Sequence, residues 1–320
     1  MKSLDNEKPV IGISACLMGQ SVRYDGGHKR DRFITDELAE HVDLRPVCPE
    51  MAIGLGVPRE PIRLVRKEDG IHAVGVNDDR LDVTEALQRV AIDTVASLPP
   101  LSGYIVMRNS PSCGMERVKV YDHDGVGHRR VGRGLYTREL MERHPELPVE
   151  EGGRLQDIGL RDNFVRRVYV YARWQTLMEK GMSRNDLIEF HAAHKYMLLA
   201  HGQVMYKALG RMLSDLKGPH FEQIRPRYIR DMMQGLRVLV SRGDHANVMQ
   251  HLMGYLRPYL DGDDKRELLE NIHRYRQGVL PLVVPLTLLR HHFRRHPHPY
   301  VEGQYYLNPY PEALMPRSSL

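Results

Sequence analysis

The sequence predicts an α/β domain built on a mostly parallel sheet, followed by an all-α domain. Three observations predict it. Short apolar runs alternate with helical patterns over the first 150 residues, and the 3.6-residue period dominates the remainder. Between them, His144 to Asp157 is polar, carries proline and glycine, and reads as a linker. At 320 residues, a prior of roughly 100–200 residues per domain allows two, each with its own core. The expected domains are 1–150 and 151–320.

The elements follow in order. "PVIGIS", ending at Ser14, is an apolar run of strand length, and "DRFITDELAEHV", from Asp31, has helical spacing. "DLRPVC" ends at Cys48, "VTEALQRVAIDTVASL" has helical spacing, and "GYIVM", from Gly103, is again strand-like. Strands alternating with helices imply βα units, parallel strands and covering helices, a Rossmann-like arrangement. In the second domain "NFVRRVYVYARWQTLMEK", the long stretch from Ser183 to Leu216, "RYIRDMMQGLRVLVS", "HANVMQHLMGYLRPYL" and "DKRELLENIHRYRQ" all have helical spacing. There is no internal repeat and no low-complexity segment.

Composition excludes several classes. With 42% hydrophobic and 27% charged residues the chain is neither disordered nor fibrous. The longest apolar run, "GVLPLVVPLTLL", contains two prolines and falls short of the roughly 20 residues that span a bilayer. The first ten residues lack an apolar core of secretory type, so a cytoplasmic protein with no membrane association is expected. Charge is uneven: residues 151–320 hold 25 basic and 17 acidic side chains, a net +8, against −3 for residues 1–150. The basic half also holds 11 of the 17 histidines and 12 of the 16 tyrosines, and cations interleaved with rings suit a nucleic-acid surface.

The three cysteines carry the strongest signal. Cys16 lies two residues past "PVIGIS", Cys48 closes "DLRPVC", and Cys113 lies in "RNSPSCG", just past "GYIVM". Each therefore sits at or beyond the carboxyl end of an expected strand, the edge where open α/β sheets bind ligands. Three thiolates there suit zinc with an open fourth position, or an iron-sulfur cluster with one iron unligated by protein. Spacing alone leaves the two open.

The segments "SACLMGQSVRYDGGHK", "PVCPEMAIGLGVPREP" and "NSPSCG" resemble the signature segments of the TudS family of thiouracil desulfidases. The remaining chain, including "FHAAHKYMLLAH" and "GQYYLNPYPEAL", is similar to the YbgA-like helical domain often fused behind it. The fused arrangement resembles the RudS type, which removes sulfur from 4-thiouridine in tRNA. The resemblance implies a 4Fe-4S cluster held by Cys16, Cys48 and Cys113, with the fourth iron binding the substrate's sulfur. It implies a net hydrolysis needing no electron donor, with tRNA as partner and the helical domain as its binding module.

Other residues fall into place around these three. Glu50, two residues after Cys48, matches a family carboxylate that handles protons, and Ser110 is a candidate donor to the sulfur or the ring. Ser112 neighbours a ligand and is expected to be structural. Asp25 and His28, in "RYDGGHK", are candidate contacts to substrate or to groups beside the metal, and Arg59 is a candidate contact to a base edge or phosphate. His191 and His194, three apart in "FHAAHK", lack a carboxylate at ligand spacing and read as packed or solvated histidines. "RHHFRRHPHPY", Arg290 to Tyr300, reads as an electrostatic contact for RNA. Two other readings stand beside tRNA desulfidation: desulfidation of free 2-thiouracil or a thionucleoside, and an RNA-binding protein with a structural cluster or zinc. Oligomeric state is not legible.

Overall fold

The computed structural model describes residues 7–122, 127–216 and 220–315. The chain divides into one compact unit, Glu7–Phe164, and a second formed chiefly by the chain from Val165 onward. The first unit is α/β and the second is all-helical, as the sequence predicts. Among the described residues no helix is long and apolar enough to cross a membrane.

In the first unit the strands are β1 (Val10–Ser14), β2 (Asp43–Val47), β3 (Ile62–Lys67), β4 (Gly70–Gly75), β5 (Gly103–Val106), β6 (Val118–Tyr121), β7 (His128–Gly132) and β8 (Val149–Glu151). The helices are α1 (Pro49–Ala52), α2 (Thr84–Ser97) and α3 (Leu135–Arg143). One sheet has the order β2-β1-β5-β8, and all its pairings are parallel. Ile11, Ile13, Tyr104, Ile105 and Val106 are buried, which is why β1 and β5 read as continuous apolar runs. β2 sits at the edge, where Pro46 can lack an N–H without breaking a ladder on both sides.

A second sheet, order β4-β3-β6-β7, was not expected from the sequence. It is mixed, with β3 antiparallel to β4 and parallel to β6, and β7 antiparallel to β6. Ile62, Leu64, Val118 and Val120 turn one face onto Val83 and Leu87 beside and on α2. The other face carries charged residues, so the strands alternate and offer no long apolar run to read.

Two further expectations change. The segment expected as a helix from Asp31 is a π turn, Phe33–Glu37, followed by a 3-10 turn, Leu38–Glu40. The Thr35 hydroxyl donates to the Asp31 carbonyl at 3.1 Å, a back-bond that competes with the regular helical ladder. Residues 144–157, expected as a linker, hold β8 and a 3-10 turn, Gly152–Gln156. Glu150 and Glu151 made this stretch look solvated, yet both are buried in an edge strand paired with β5.

The helical unit contains α4 (Ile158–Glu179, which begins in the first unit), α5 (Arg184–Ala193), α6 (Lys195–His201), α7 (Gln203–Met212), α8 (His220–Gly235), α9 (Arg242–Leu256), α10 (Gly262–Arg276), α11 (Val283–Arg295) and α12 (Pro299–Glu302). Ser183 and Asp186 form a reciprocal capping box at the start of α5. Gly202, with φ +151°, separates α6 from α7, so the long helical stretch in the sequence becomes three helices. One core gathers Trp174, Phe190, Met197 and Tyr228, the other Leu252, Leu256, Leu268 and Leu289. His191 hydrogen-bonds the Tyr228 hydroxyl at 3.0 Å, and fully buried His194 hydrogen-bonds the Phe190 carbonyl at 2.7 Å. Burial pushes their pKa values down to about 4 and about 3, so both are neutral packing groups.

Gly12 lies under the ring of Tyr104 on the neighbouring strand, and a Cβ there would overlap that ring. Tyr104 is pinned by a 2.9 Å hydrogen bond to the Tyr136 hydroxyl and cannot swing away. Gly12→Ala is therefore expected to destabilise the α/β unit by about 1–3 kcal/mol, the usual cost of overpacking, as measured by chemical denaturation.

Candidate functional site

Cys16, Cys48 and Cys113 all lie just beyond the carboxyl ends of β1, β2 and β5, three adjacent strands of the parallel sheet. The chain leaves β1 for β2 on one side and later returns to β5 on the other, so this edge is a topological switch point. Each thiol is held by its own local device. Cys16 sits in the 3-10 turn Ala15–Met18, and its carbonyl accepts from the Lys29 amide at 2.9 Å, which folds the segment 22–30 back over it. Cys48 is the residue before α1, whose first position is Pro49; the proline is preset for a helix start. Its thiol lies 3.7 Å from the Val22 carbonyl.

Cys113 depends on the tightest turn. Pro111 and Asn109, the latter at φ +58°, reverse the chain, and the Ser110 hydroxyl accepts from the Cys113 amide at 3.0 Å. The Gly114 amide donates to the Ser110 carbonyl at 2.8 Å, and a Cβ on Gly114 would run into Val118 and the Ser110 backbone. Glycine is therefore required beside this cysteine. The Thr137 hydroxyl fixes the Cys113 carbonyl at 2.7 Å.

Glu50 is clamped between two donors. The Arg59 guanidinium reaches one carboxylate oxygen at 2.8 and 2.9 Å, and the Ser112 hydroxyl donates to the other at 2.5 Å. Ser112 in turn meets the Ser110 hydroxyl at 2.9 Å and lies 3.7 Å from the Cys113 sulfur. Arg59 also donates to the carbonyls of Val22 and Gly56 and is 5% exposed, so its guanidinium is spent inside this loop and not displayed to a ligand. Asp25 and His28 stand apart from the clamp. Asp25 is exposed and accepts from the Gly27 amide at 3.0 Å, while His28 is exposed and accepts from the Arg30 amide at 3.3 Å.

Sequence reasoning missed three participants. Arg23 is close enough for its charge to act on the Cys16 thiol, the Val22 carbonyl bridges Cys48 and Arg59, and Ser14 hydrogen-bonds Cys113. Arg23 and Val22 sit between the motifs' cysteines, and Ser14 ends a strand, so only folding gives them neighbours.

The three thiols are reduced and unpaired with one another. Among the described residues no group of three or more His, Cys, Asp and Glu is placed to hold a metal ion. The cysteines nevertheless sense each other's charge, Cys48 acting on both Cys16 and Cys113. The donor set is three soft sulfurs with no imidazole among them, which suits an iron-sulfur group whose ligands lie on separate metal atoms better than one ion shared by all three. Burial, then the charge of Cys48, pushes the Cys16 pKa up to about 11; burial pushes Cys113 up to about 12 and raises Cys48 as well. Without metal these thiols are protonated near neutral pH. Alkylation of metal-free protein by iodoacetamide is therefore expected to be far slower at pH 8 than that of free cysteine and to rise as pH climbs towards 11, followed by mass spectrometry.

Comparison with known proteins bears on this geometry. Residues 11–152 match the model of the 2-thiouracil desulfurase family, and residues 195–311 match that of a protein family of unknown function, DUF1722. An uncharacterized protein of Escherichia coli (strain K12), YbgA, is 32% identical over 162 residues, 49% of this chain and 94% of its own length. An uncharacterized protein of Bacillus subtilis (strain 168), YbbK, is 33% identical over 155 residues, 47% of this chain and 99% of its own. A solved structure of a 4Fe-4S-dependent thiouracil desulfidase, TudS, is 31% identical and covers 47% of this chain and 94% of that one, with a TM-score of 0.38. Through residues 11–152 the chain belongs to the 2-thiouracil desulfurase family, and a DUF1722 domain follows it at residues 195–311.

Proposed function

We propose that this protein is an iron-sulfur-dependent desulfidase that converts 4-thiouridine in tRNA to uridine and sulfide. The observation that carries the reading is the meeting of all three cysteines at one carboxyl edge of a parallel sheet, with a clamped carboxylate beside them. Cys16, Cys48 and Cys113 would hold a 4Fe-4S cluster. When bound, the cluster supplies a soft Lewis acid, an iron without a protein ligand, to the substrate's thiocarbonyl sulfur.

The chain's own residues supply the rest. Thiocarbonyl plus water gives carbonyl plus hydrogen sulfide, with no change in the oxidation level of carbon and no need for an electron donor. Glu50 accepts the proton of the attacking water, and its two fixed hydrogen bonds keep the carboxylate in one orientation while it does so. Arg59 and Ser112 are positioning residues for Glu50, and Ser110 shapes the Cys113 turn and extends the hydroxyl chain from Ser112. Asp25 and His28, on the exposed part of the loop tied to Cys16, are placed to meet the substrate's ring or ribose. Buried reduced thiols suit a cytoplasmic setting.

The helical unit supports an RNA substrate. Lys195 lies 5.4 Å from the ring centres of both Tyr196 and Tyr300; Tyr255 meets His298 at 4.6 Å, and Tyr259 stacks on His296 at 5.2 Å. Tyr259 and Tyr300 are exposed, as are Arg257, Arg294 and Arg295. Cations and open ring faces in one area offer stacking to bases and charge to phosphates. Only part of the segment 290–300 contributes, because His292 and Phe293 are buried and Arg290 donates to the Leu307 carbonyl at 2.8 Å.

The family description favours a second substrate, the free base 2-thiouracil. Anaerobically reconstituted protein is expected to release sulfide from thiolated tRNA; release from 2-thiouracil alone would remove the tRNA assignment, and release from neither would leave a binding protein. In the same assay Cys113→Ala is expected to lose both iron and turnover. Glu50→Gln is expected to keep its iron and acid-labile sulfide while kcat falls about 100-fold or more, the usual contribution of a general base.

A further inference from the structure

The mixed sheet carries a feature that the desulfurase reading leaves unused. A cavity of about 320 Å³ opens on it, at the lower end of the roughly 300–1,000 Å³ range of small-ligand sites. Arg63 on β3, Lys119 and Tyr121 on β6, and Arg130 on β7 line it together with Asn109 and Pro111. No carboxylate is among its lining residues. The Arg63 guanidinium lies over the Tyr121 ring, 5.4 Å from its centre, which gives a flat cationic and aromatic surface.

Two details give this surface a purpose. Lys119 and Arg130 are register partners across β6 and β7, and like charges directly opposite each other destabilise a sheet. Both are exposed. A phosphate between them relieves that repulsion, and the neighbouring ring offers a face on which a base can stack. The second detail is position. Asn109 and Pro111 flank Ser110 in the turn that holds Cys113, so the cavity and the thiol site share one loop.

We propose that this face of the mixed sheet binds the sugar-phosphate strand next to the base that enters the cysteine site, with Lys119 and Arg130 on a phosphate and Tyr121 beneath a flanking base. The inference rests on the reading that the thiolated base arrives as part of an RNA chain. It assigns strand contacts to the desulfurase unit itself, in addition to those of the helical unit.

The test measures binding of an unthiolated tRNA transcript to the full chain by fluorescence anisotropy over a salt series. Lys119→Glu/Arg130→Glu is compared with Arg80→Glu/Arg89→Glu, which makes the same charge change at exposed positions on and before α2, away from this face. The first pair is expected to weaken binding about tenfold or more and to lower the slope of log Kd against log salt by about 2, one per lost phosphate contact. The control pair is expected to change affinity less than threefold. Should the reversed charges prevent folding, Lys119→Gln/Arg130→Gln is expected to shift the slope in the same direction. Equal affinities and slopes for the two pairs would overturn the proposal. Because the transcript carries no sulfur, weakened binding in the first pair supports the sheet-face site even where no sulfide is released from any thiolated RNA, a result that would sink only the substrate assignment.

Discussion

Parallel pairing of β2, β1 and β5 is the constraint on which the site depends. Parallel strands present all their carboxyl ends at one edge, so residues separated by 97 positions, Cys16 and Cys113, are delivered to one rim without any contact between their own loops being needed. An antiparallel β1 and β5 would place the same cysteines at opposite ends of the sheet. The small residue at Gly12, covered by Tyr104, permits β1 and β5 to lie against each other with a bulky ring between them and the layer above.

The polar groups at that edge are arranged so that none is left to drift. Glu50 is held on both oxygens, Arg59 is consumed by Glu50 and two carbonyls, and Ser110 closes the turn that carries Cys113. Such a network fixes a carboxylate with its charge balanced and its orientation set before substrate arrives, which is what proton transfer in a confined site requires. The thiols are the reverse case. They are buried, protonated and close enough to repel as thiolates, so the rim is stable without metal only in its neutral form and gains its anionic form together with a cationic group.

Positive charge is divided between two places with different physical characters. In the helical unit it surrounds exposed tyrosines and histidines contributed by several helices and a short terminal segment. In the α/β unit it lies on the solvent face of an antiparallel strand pair, beside the cysteine loop. The net negative charge of residues 1–150 concealed the second, because overall charge says nothing of which face carries it.

The sequence by itself determined the class of both halves, the three parallel strands that end in cysteine, and the residues that matter at their edge. Apolar runs of strand length, helical periodicity and Pro or Gly beside each cysteine are local properties, and local physics reads them. It also determined that His191 and His194 are packing groups, since no carboxylate lay at ligand spacing. Only the tertiary structure decided the second sheet, the burial of Glu150 and Glu151 in β8, and the partners of Glu50. The reason is the same in each case. Alternating strands, an acidic edge strand and an arginine nine residues away acquire their neighbours from long-range pairing, and nothing in the chain near Glu50 announces that Arg59 and Ser112 will close on it.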